Sequence, residues 1–136
     1  MKLNLENYKN YRLYQVGLSN TSGTKKLMIL EEGIVSNSLS DCTMNVNNFI
    51  NIPTKKLDDF QFRKVSYIKR DVQFHELEVI EGAVKTLKNN SPVLCIECAR
   101  RNEDEINYVK KIISLLNKLN FKIVGGLGKE LFFKKD

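Results

Sequence analysis

Hydrophobic and polar positions alternate between two patterns from residue 65 onward, one typical of strands and the other of amphipathic helices. The first pattern predicts a strand over 67–72. Apolar residues then recur at helical spacing, at Leu77, Ile80, Val84 and Leu87, up to a stop at 89–92. The run 92–97 is continuously apolar, which is typical of a strand covered on both faces and favours a parallel sheet.

The last third of the chain continues this alternation. Asn102 followed by Glu105 forms a capping box, and apolar residues follow at helical spacing up to Asn120. Strands are predicted over 121–124 and 130–133. We interpret the glycines between them as a hairpin turn, because a phosphate-binding loop would be followed by a helix rather than a strand. The order β-α-β-α-β-β predicts a three-layer α/β sheet with right-handed crossovers, closed by an antiparallel hairpin.

The first 64 residues carry a weaker pattern of short strands and turns. In order, it predicts a strand at 11–19 and a turn, a strand at 26–30, a Ser- and Asn-rich loop at 35–51 ending in an extended piece at 49–53, and a polar turn at 57–60. We interpret 1–136 as one domain, in which 20–60 is an irregular strand and loop insertion and 65–136 is the β-α-β-α-β-β core.

Composition agrees with a globular domain. The chain has 136 residues, 42% of them hydrophobic and 28% charged, so it can bury a real core. It has no apolar run of membrane-spanning length, and its first residues lack the apolar core of a signal peptide. These features predict a cytoplasmic protein that does not enter a membrane.

Charge and cysteine content narrow the function classes further. The net charge of +6 comes from scattered basic pairs without interleaved aromatic residues, which argues against nucleic-acid binding. Three cysteines, Cys42, Cys95 and Cys98, cannot all pair within the chain, so a secreted disulfide scaffold is not expected. Cys95 and Cys98 form a CxxC pair, but no second close-spaced pair exists for zinc, and we expect buried thiols and no metal site.

Candidate chemistry lies where the strand at 67–72 meets the following helix. Lys69, Asp71, His75 and Glu76 cluster there, and ligands of open α/β sheets bind beyond the carboxyl ends of strands. Asp71 or His75 could accept a proton, with Lys69 and Glu76 as orienting groups. The alternative is that Asp71 and Glu76 only stabilise the helix N-terminus. Glu97, at the end of the next strand, could line the same crevice or lie exposed in water.

Four segments of the chain resemble the FkbM-type methyltransferase family. The segment 68–83, Ile-Lys-Arg-Asp-Val-Gln-Phe-His-Glu-Leu-Glu-Val-Ile-Glu-Gly-Ala, resembles the family motif Ile-Lys-x-Asp-Val-(Glu/Gln)-Gly-x-Glu with its following Gly-Ala helix. The segments 17–23, Gly-Leu-Ser-Asn-Thr-Ser-Gly, and 53–60, Pro-Thr-Lys-Lys-Leu-Asp-Asp-Phe, resemble segments that precede this motif, and 92–97 resembles the next strand. The likeness covers nearly the whole chain in the right order.

This resemblance implies a Rossmann-like fold and S-adenosylmethionine as cofactor. It implies methyl transfer to a hydroxyl of a sugar or natural product, although nothing in these residues identifies the acceptor. Asp71, His75, Lys69 and Glu76 would be catalytic. Leu18 and Ser19 would contact the cofactor, and Glu97 the substrate.

The chain also departs from the family pattern. Phe74 stands where the family has Gly, and the chain has no Gly-rich first loop to hold the cofactor. By resemblance it begins at the third strand of a sheet ordered 3-2-1-4-5-7-6, which leaves strand 4 as an edge and one sheet face bare. Arg70 would suit such a bare face. A protein partner or a homodimer is expected to cover it, and the alternative function is a non-catalytic remnant or partner-binding module.

Overall fold

The computed structural model describes residues 8–28, 49–72, 74–98 and 102–136. Predictions for Cys42 and for most of the loop at 35–51 fall outside these ranges. The described elements are β1 (Gly17–Leu18), β2 (Gly23–Met28), β3 (Phe49–Lys55), a 3₁₀ helix (Leu57–Phe60), β4 (Tyr67–Arg70), α1 (Glu76–Glu81), α2 (Val84–Asn90), β5 (Val93–Glu97), α3 (Glu103–Lys118), β6 (Phe121–Leu127) and β7 (Glu130–Lys135).

The larger of two sheets contains the elements predicted from residue 65 onward. Its strand order is β4-β5-β7-β6, in which β4 and β5 are parallel and β7 is antiparallel to both β5 and β6. The mixed α/β class and the closing hairpin are therefore confirmed. Among the described strands, β4 pairs with β5 alone and forms an edge of this sheet.

The described helices all pack on one face of the larger sheet, and no described helix covers the other face, so the third layer of the predicted sheet stays a prediction. Residues of α1, α2 and α3 form one core cluster with Leu94 and Ile96 of β5 and with Leu131 and Phe133 of β7. Side chains alternate along a strand, so the intervening residues point away from the helices; they include Tyr67, Lys69, Cys95 and Phe132. The described part of the chain thus forms two layers, because all three helices lie on the same side of the sheet.

The helix predicted to run without a break from residue 77 to 87 is two short helices. α1 ends at Glu81 and α2 begins at Val84. At the break the backbone of Gly82 approaches the end of β1 so closely that a Cβ atom would lie 2.1 Å from the Ser19 carbonyl oxygen. Glycine is needed here because no side chain fits between these two backbone segments.

The smaller sheet has β3 at its centre, parallel to β1 and antiparallel to β2. The strand predicted over 11–19 is reduced to Gly17–Leu18, and the aromatic residues before it stay exposed, with Tyr14 contacting the Phe60 ring at 4.9 Å. The strand predicted at 26–30 begins earlier, at Gly23. The extended piece predicted at 49–53 is the longer β3, which is paired on both sides.

The second half of the core follows its sequence signals closely. The side chain of Asn102 accepts a hydrogen bond from the Glu105 amide at 2.9 Å, which confirms the predicted start of α3. β6 extends beyond the predicted 121–124 because Gly125 and Gly126 join the ladder after a register shift. No helix in the described ranges is long and apolar enough to cross a membrane.

Candidate functional site

A cavity of about 630 Å³ runs along the outer edge of β4. Its walls are mostly apolar and come from β1, the 3₁₀ helix, β4, α1 and α2. Asp71, immediately after the carboxyl end of β4, lines the cavity, as does Leu18 of β1. The structure therefore brings Asp71, Lys69 and Leu18, three of the predicted site residues, to one concave surface.

Lys69 also lines this cavity, and its ammonium group forms an ion pair with Glu130. Its Nζ atom is 2.6 Å from Glu130 Oε1, in an ion pair across the helix-free face of the sheet. The hydrogen bond to Glu130 raises the pKa of Lys69 and lowers the pKa of Glu130. Lys69 is therefore a surface cation paired with Glu130, and its predicted orienting role beside Asp71 stays a prediction.

His75 and Ser19 meet in the interior and not at the cavity wall. Both side chains are buried, and His75 Nε2 lies 3.1 Å from Ser19 Oγ. His75 Nδ1 is 3.6 Å from a carboxylate oxygen of Glu78. Burial lowers the pKa of His75, which favours the neutral imidazole. The pair connects the end of β1 to the start of α1, which gives both residues a positioning role.

Glu76 is buried under α3 rather than exposed to a substrate. Its carboxyl group lies near Arg70 and near Tyr108, whose hydroxyl accepts a hydrogen bond from the Leu77 amide at 3.1 Å. Burial raises the pKa of Glu76, and burial likewise raises the pKa of Tyr108. These contacts fix the first turn of α1 against α3.

The expectation that Arg70 suits a bare sheet face is wrong. Arg70 alternates with Lys69 and therefore points to the helical side, where only 6% of it is exposed. Its Nη1 atom donates a hydrogen bond to the Glu76 carbonyl oxygen, and burial lowers its pKa to about 10. Arg70 is an interior support for the start of α1.

Glu97 is not brought to the cavity. It ends β5, stands opposite Glu130 in the ladder, and lies 4.0 Å from the ammonium group of Lys129. Its carboxylate is on the side of the sheet away from the helices, two strand positions from Cys95. A substrate contact by Glu97 remains a prediction without support from this geometry.

Phe74 has a left-handed backbone conformation at the turn between β4 and α1. Its φ angle is +64°, in the left-handed region that glycine enters most readily. The ring is partly exposed and lies 6.3 Å from the ring of Tyr108. A glycine at this position would serve the backbone conformation, and phenylalanine takes that conformation while packing against α3.

Asp58 is a structural residue that sequence reasoning missed by assigning 57–60 to a polar turn. The N-cap residue of α2, Ala83, has no acceptor side chain. Asp58 takes over this function, accepting hydrogen bonds from the Lys85 amide at 3.0 Å and the Thr86 amide at 2.7 Å. Its own amide donates to the Gly82 carbonyl at 3.0 Å. The Leu-Asp-Asp segment was the available signal, but its partners lie about 28 residues away.

The two cysteines of the CxxC pair are both buried, neither is in a disulfide, and they lie in different environments. Cys98 belongs to the core cluster under the helices, whereas Cys95 lies on the opposite side of β5 beside Tyr67. Within the described ranges, no group of three or more His, Cys, Asp or Glu side chains is placed to hold a metal ion.

The fold and cavity define an α/β protein with a carboxylate at the end of an edge strand. Residues 1–123 match the family model described as the methyltransferase FkbM domain, and the chain belongs to this family. This confirms the resemblance seen in the sequence.

The crystal structure of methyltransferase FkbM from Methylobacillus flagellatus KT is similar to part of this chain. The match has 20% sequence identity and a TM-score of 0.45, and it covers 62% of this chain and 23% of that one. The matched region therefore covers less than a quarter of that protein. No curated protein sequence matches the chain.

Proposed function

We propose that this chain takes part in S-adenosylmethionine-dependent methyl transfer to a hydroxyl group of a small molecule, with Asp71 as the proton acceptor. The single observation that carries the proposal is that Asp71 lies at the carboxyl end of β4 and lines the 630 Å³ cavity in a chain of the FkbM methyltransferase family. A sugar or natural product is the acceptor class that the family suggests.

The cavity fits the cofactor in size and in the character of its walls. Small-molecule sites usually measure about 300–1,000 Å³ and combine apolar walls with a few polar groups. Leu18 and the neighbouring apolar residues suit the adenine ring, and Asp71 is a polar group at the carboxyl end of β4. When bound, S-adenosylmethionine supplies the methyl group from a sulfonium centre. The lining residues include no glycine-rich loop for its amino-acid end.

Each predicted site residue then has a distinct role. Asp71 holds and accepts the hydroxyl proton of the acceptor, the work of a general base. His75 and Ser19 position β1 against α1, and Glu76 and Arg70 fix the start of α1 behind the cavity wall. Lys69 stays paired with Glu130 on the other face.

Cofactor binding is tested by isothermal titration of the chain with S-adenosylmethionine. Saturable binding near 1:1 is expected. Leu18→Gln places an amide on the cavity wall and should weaken binding, whereas Leu13→Gln, at an exposed position that does not line the cavity, should not. Circular dichroism shows whether each variant is folded. A folded chain that does not bind the cofactor would contradict the proposal for this chain acting alone.

The role of Asp71 is tested by the Asp71→Asn variant in an assay of labelled methyl transfer to hydroxyl acceptors. Loss of a general base lowers kcat by about 10²–10⁴-fold. Asp104→Asn, on the exposed first turn of α3, is the matched control and should keep full activity. Equal activity of the wild type and the Asp71 variant, with cofactor binding retained, would reject the role of Asp71 without rejecting cofactor use.

A partner-binding function is the second candidate, and the free edge of β4 favours it. Within the described strands β4 pairs on one side only, beside the apolar cavity, and an extended peptide can add to such an edge. A protein partner or second copy would then cover the edge. A folded chain that does not bind S-adenosylmethionine but forms a stable complex or dimer in analytical ultracentrifugation would favour this candidate.

A further inference from the structure

The turn that leads into β4 holds an unusual backbone conformation. Gln61 and Lys64 have φ angles of +52° and +60°, and neither is glycine. Non-glycine residues in the left-handed region cost free energy, and such residues concentrate where a loop serves a ligand. Gln61 is accounted for by the end of the 3₁₀ helix, but Lys64 belongs to no helix end.

The side chain of Asn90 fixes this turn to the end of α2. Asn90 Oδ1 accepts a hydrogen bond from the Val65 amide at 3.0 Å, and Nδ2 donates to the Phe62 carbonyl at 3.2 Å and to the Thr86 carbonyl at 2.9 Å. The first two bonds hold both ends of the segment 62–65, and the third fixes the Asn90 side chain to α2. The turn therefore presents its intervening side chains from a defined backbone.

A second cavity, of about 590 Å³, lies between this turn and α2 and is strongly cationic. Arg63, Lys64 and Lys85 line it, and none of the three forms an ion pair with any residue in the described ranges. Asp58 is the only acidic residue of the lining, and its carboxylate is occupied by the amides at the start of α2. The cavity thus has three cations around a space large enough for an anion.

An aromatic surface adjoins the cationic cavity. Phe62 lines both this cavity and the apolar one along β4, and its ring stacks on Phe60 at 5.3 Å with an interplanar angle of 8°. Tyr14 packs edge-on against both rings. A planar or apolar group attached to the anion would therefore have a rigid surface to lie on.

We propose that the turn 61–65 and α2 form a binding site for a small molecule that joins a phosphate group to a planar or apolar organic part. Arg63, Lys64 and Lys85 bind the phosphate oxygens, because charge-assisted hydrogen bonds to phosphate are among the strongest available to side chains. The Phe62 ring contacts the organic part. The site is at the amino end of β4, whereas Asp71 is at its carboxyl end, so the two sites are distinct although Phe62 and Thr86 line both cavities.

Phenyl phosphate, inorganic phosphate and benzyl alcohol are the probes for this proposal. Each is titrated into the ¹⁵N-labelled chain while amide chemical shifts are recorded. Phenyl phosphate should give saturable shifts in residues 61–65 and 85–90, inorganic phosphate should bind more weakly, and benzyl alcohol should leave these residues unchanged. The Phe62→Leu variant should bind phenyl phosphate only as tightly as it binds inorganic phosphate.

Two double variants separate a site from general charge attraction. The double variant Arg63→Gln and Lys64→Gln should lower the affinity for phenyl phosphate by at least about tenfold. Lys110→Gln with Lys111→Gln removes the same charge from exposed positions of α3 and should change binding little. Equal weakening by both pairs would overturn the proposal, as would shifts that do not saturate or that map outside the turn and α2. The dispersion of the amide spectrum shows that each variant is folded.

Discussion

Phe74 shows how one side chain can occupy a backbone position that favours another residue. Its left-handed φ angle is followed directly by His75, the N-cap residue of α1, so the conformation turns the chain from β4 into the helix. A left-handed non-glycine residue costs roughly 1–2 kcal/mol. The ring contact with Tyr108 can return about 0.5–1.5 kcal/mol. The two effects are of similar size, which explains why phenylalanine is tolerated.

Comparing Phe74→Gly with Phe74→Ala tests this balance. Both variants lose the ring contact, but only glycine relieves the backbone, so the glycine variant should be the more stable by about 1 kcal/mol. Urea unfolding measures the difference. The same two substitutions at exposed Lys88 within α2 are the control, and there alanine should be the more stable. An alanine variant of Phe74 as stable as the glycine variant would show that this position is unstrained.

His75 should make stability depend on pH. Burial lowers its pKa in the folded state below the ordinary value of 6.5, so the unfolded chain binds more protons between the two pKa values. The free energy of unfolding should therefore rise with pH through that window and level off above about 6.5. Glu78 raises the pKa of His75, and Lys25 and Arg70 lower it. His75 is the chain's single histidine, so the effect can be assigned to it.

His75→Gln provides the measurement, because it keeps a polar group facing Ser19 but cannot titrate. Urea unfolding between pH 5.5 and 7.5 should show a larger gain with pH for the wild type than for the variant. Glu76 acts in the opposite direction: its raised pKa contributes stability that is lost as pH rises through the folded value. Glu76→Gln should therefore retain the histidine-dependent gain. If the free energy of unfolding changes equally with pH in the wild type and in His75→Gln, the prediction is wrong.

At the scale of elements, α2 depends on a cap from outside its own segment. Asp58 satisfies the amides of Lys85 and Thr86 from the 3₁₀ helix. Removal of a helix-capping acceptor typically costs about 0.5–2 kcal/mol. Asp58→Ala should lower the free energy of unfolding by that amount in chemical denaturation.

The neighbouring Asp59 gives a matched control for this prediction. Asp59 accepts a hydrogen bond from Ser22 and is solvent-exposed, and this bond lowers its pKa. Asp59→Ala should therefore destabilise the protein less than Asp58→Ala. If the two variants lose the same stability, the cap is not what holds α2.

Elements whose signals are local could be predicted from the sequence, and those that depend on distant contacts could not. Asn102 and the apolar spacing after it mark α3 completely, and the β6–β7 hairpin follows from its glycines. The break at Gly82 depends on the Ser19 carbonyl, which no spacing within the helix reveals. Asp71 was placed correctly at the end of β4, but the sequence did not show that His75, Ser19 and Glu76 are buried.

At the scale of the molecule, the free edge of β4 should be visible in hydrogen exchange. β5 is paired on both sides, whereas β4 is paired on one side in the described sheet. Amides of β4 that face away from β5 should exchange far faster than any amide of β5, in a measurement on the dilute chain. Protection of all β4 amides would indicate that another strand covers the edge, and dependence of that protection on protein concentration would identify a second copy.

The contacts between β1 and the α1–α2 break also bear on the order of folding. Ser19 and His75 are 56 residues apart, and the Asn20 and Glu81 side chains, joined by a 2.9 Å hydrogen bond, are 61 apart. Contacts of such separation form late because they close long loops. The smaller sheet should therefore dock last and open first as a cooperative unit. Its β3 amides should then exchange at lower denaturant than those of β5, and identical denaturant dependence would make the two sheets a single cooperative unit.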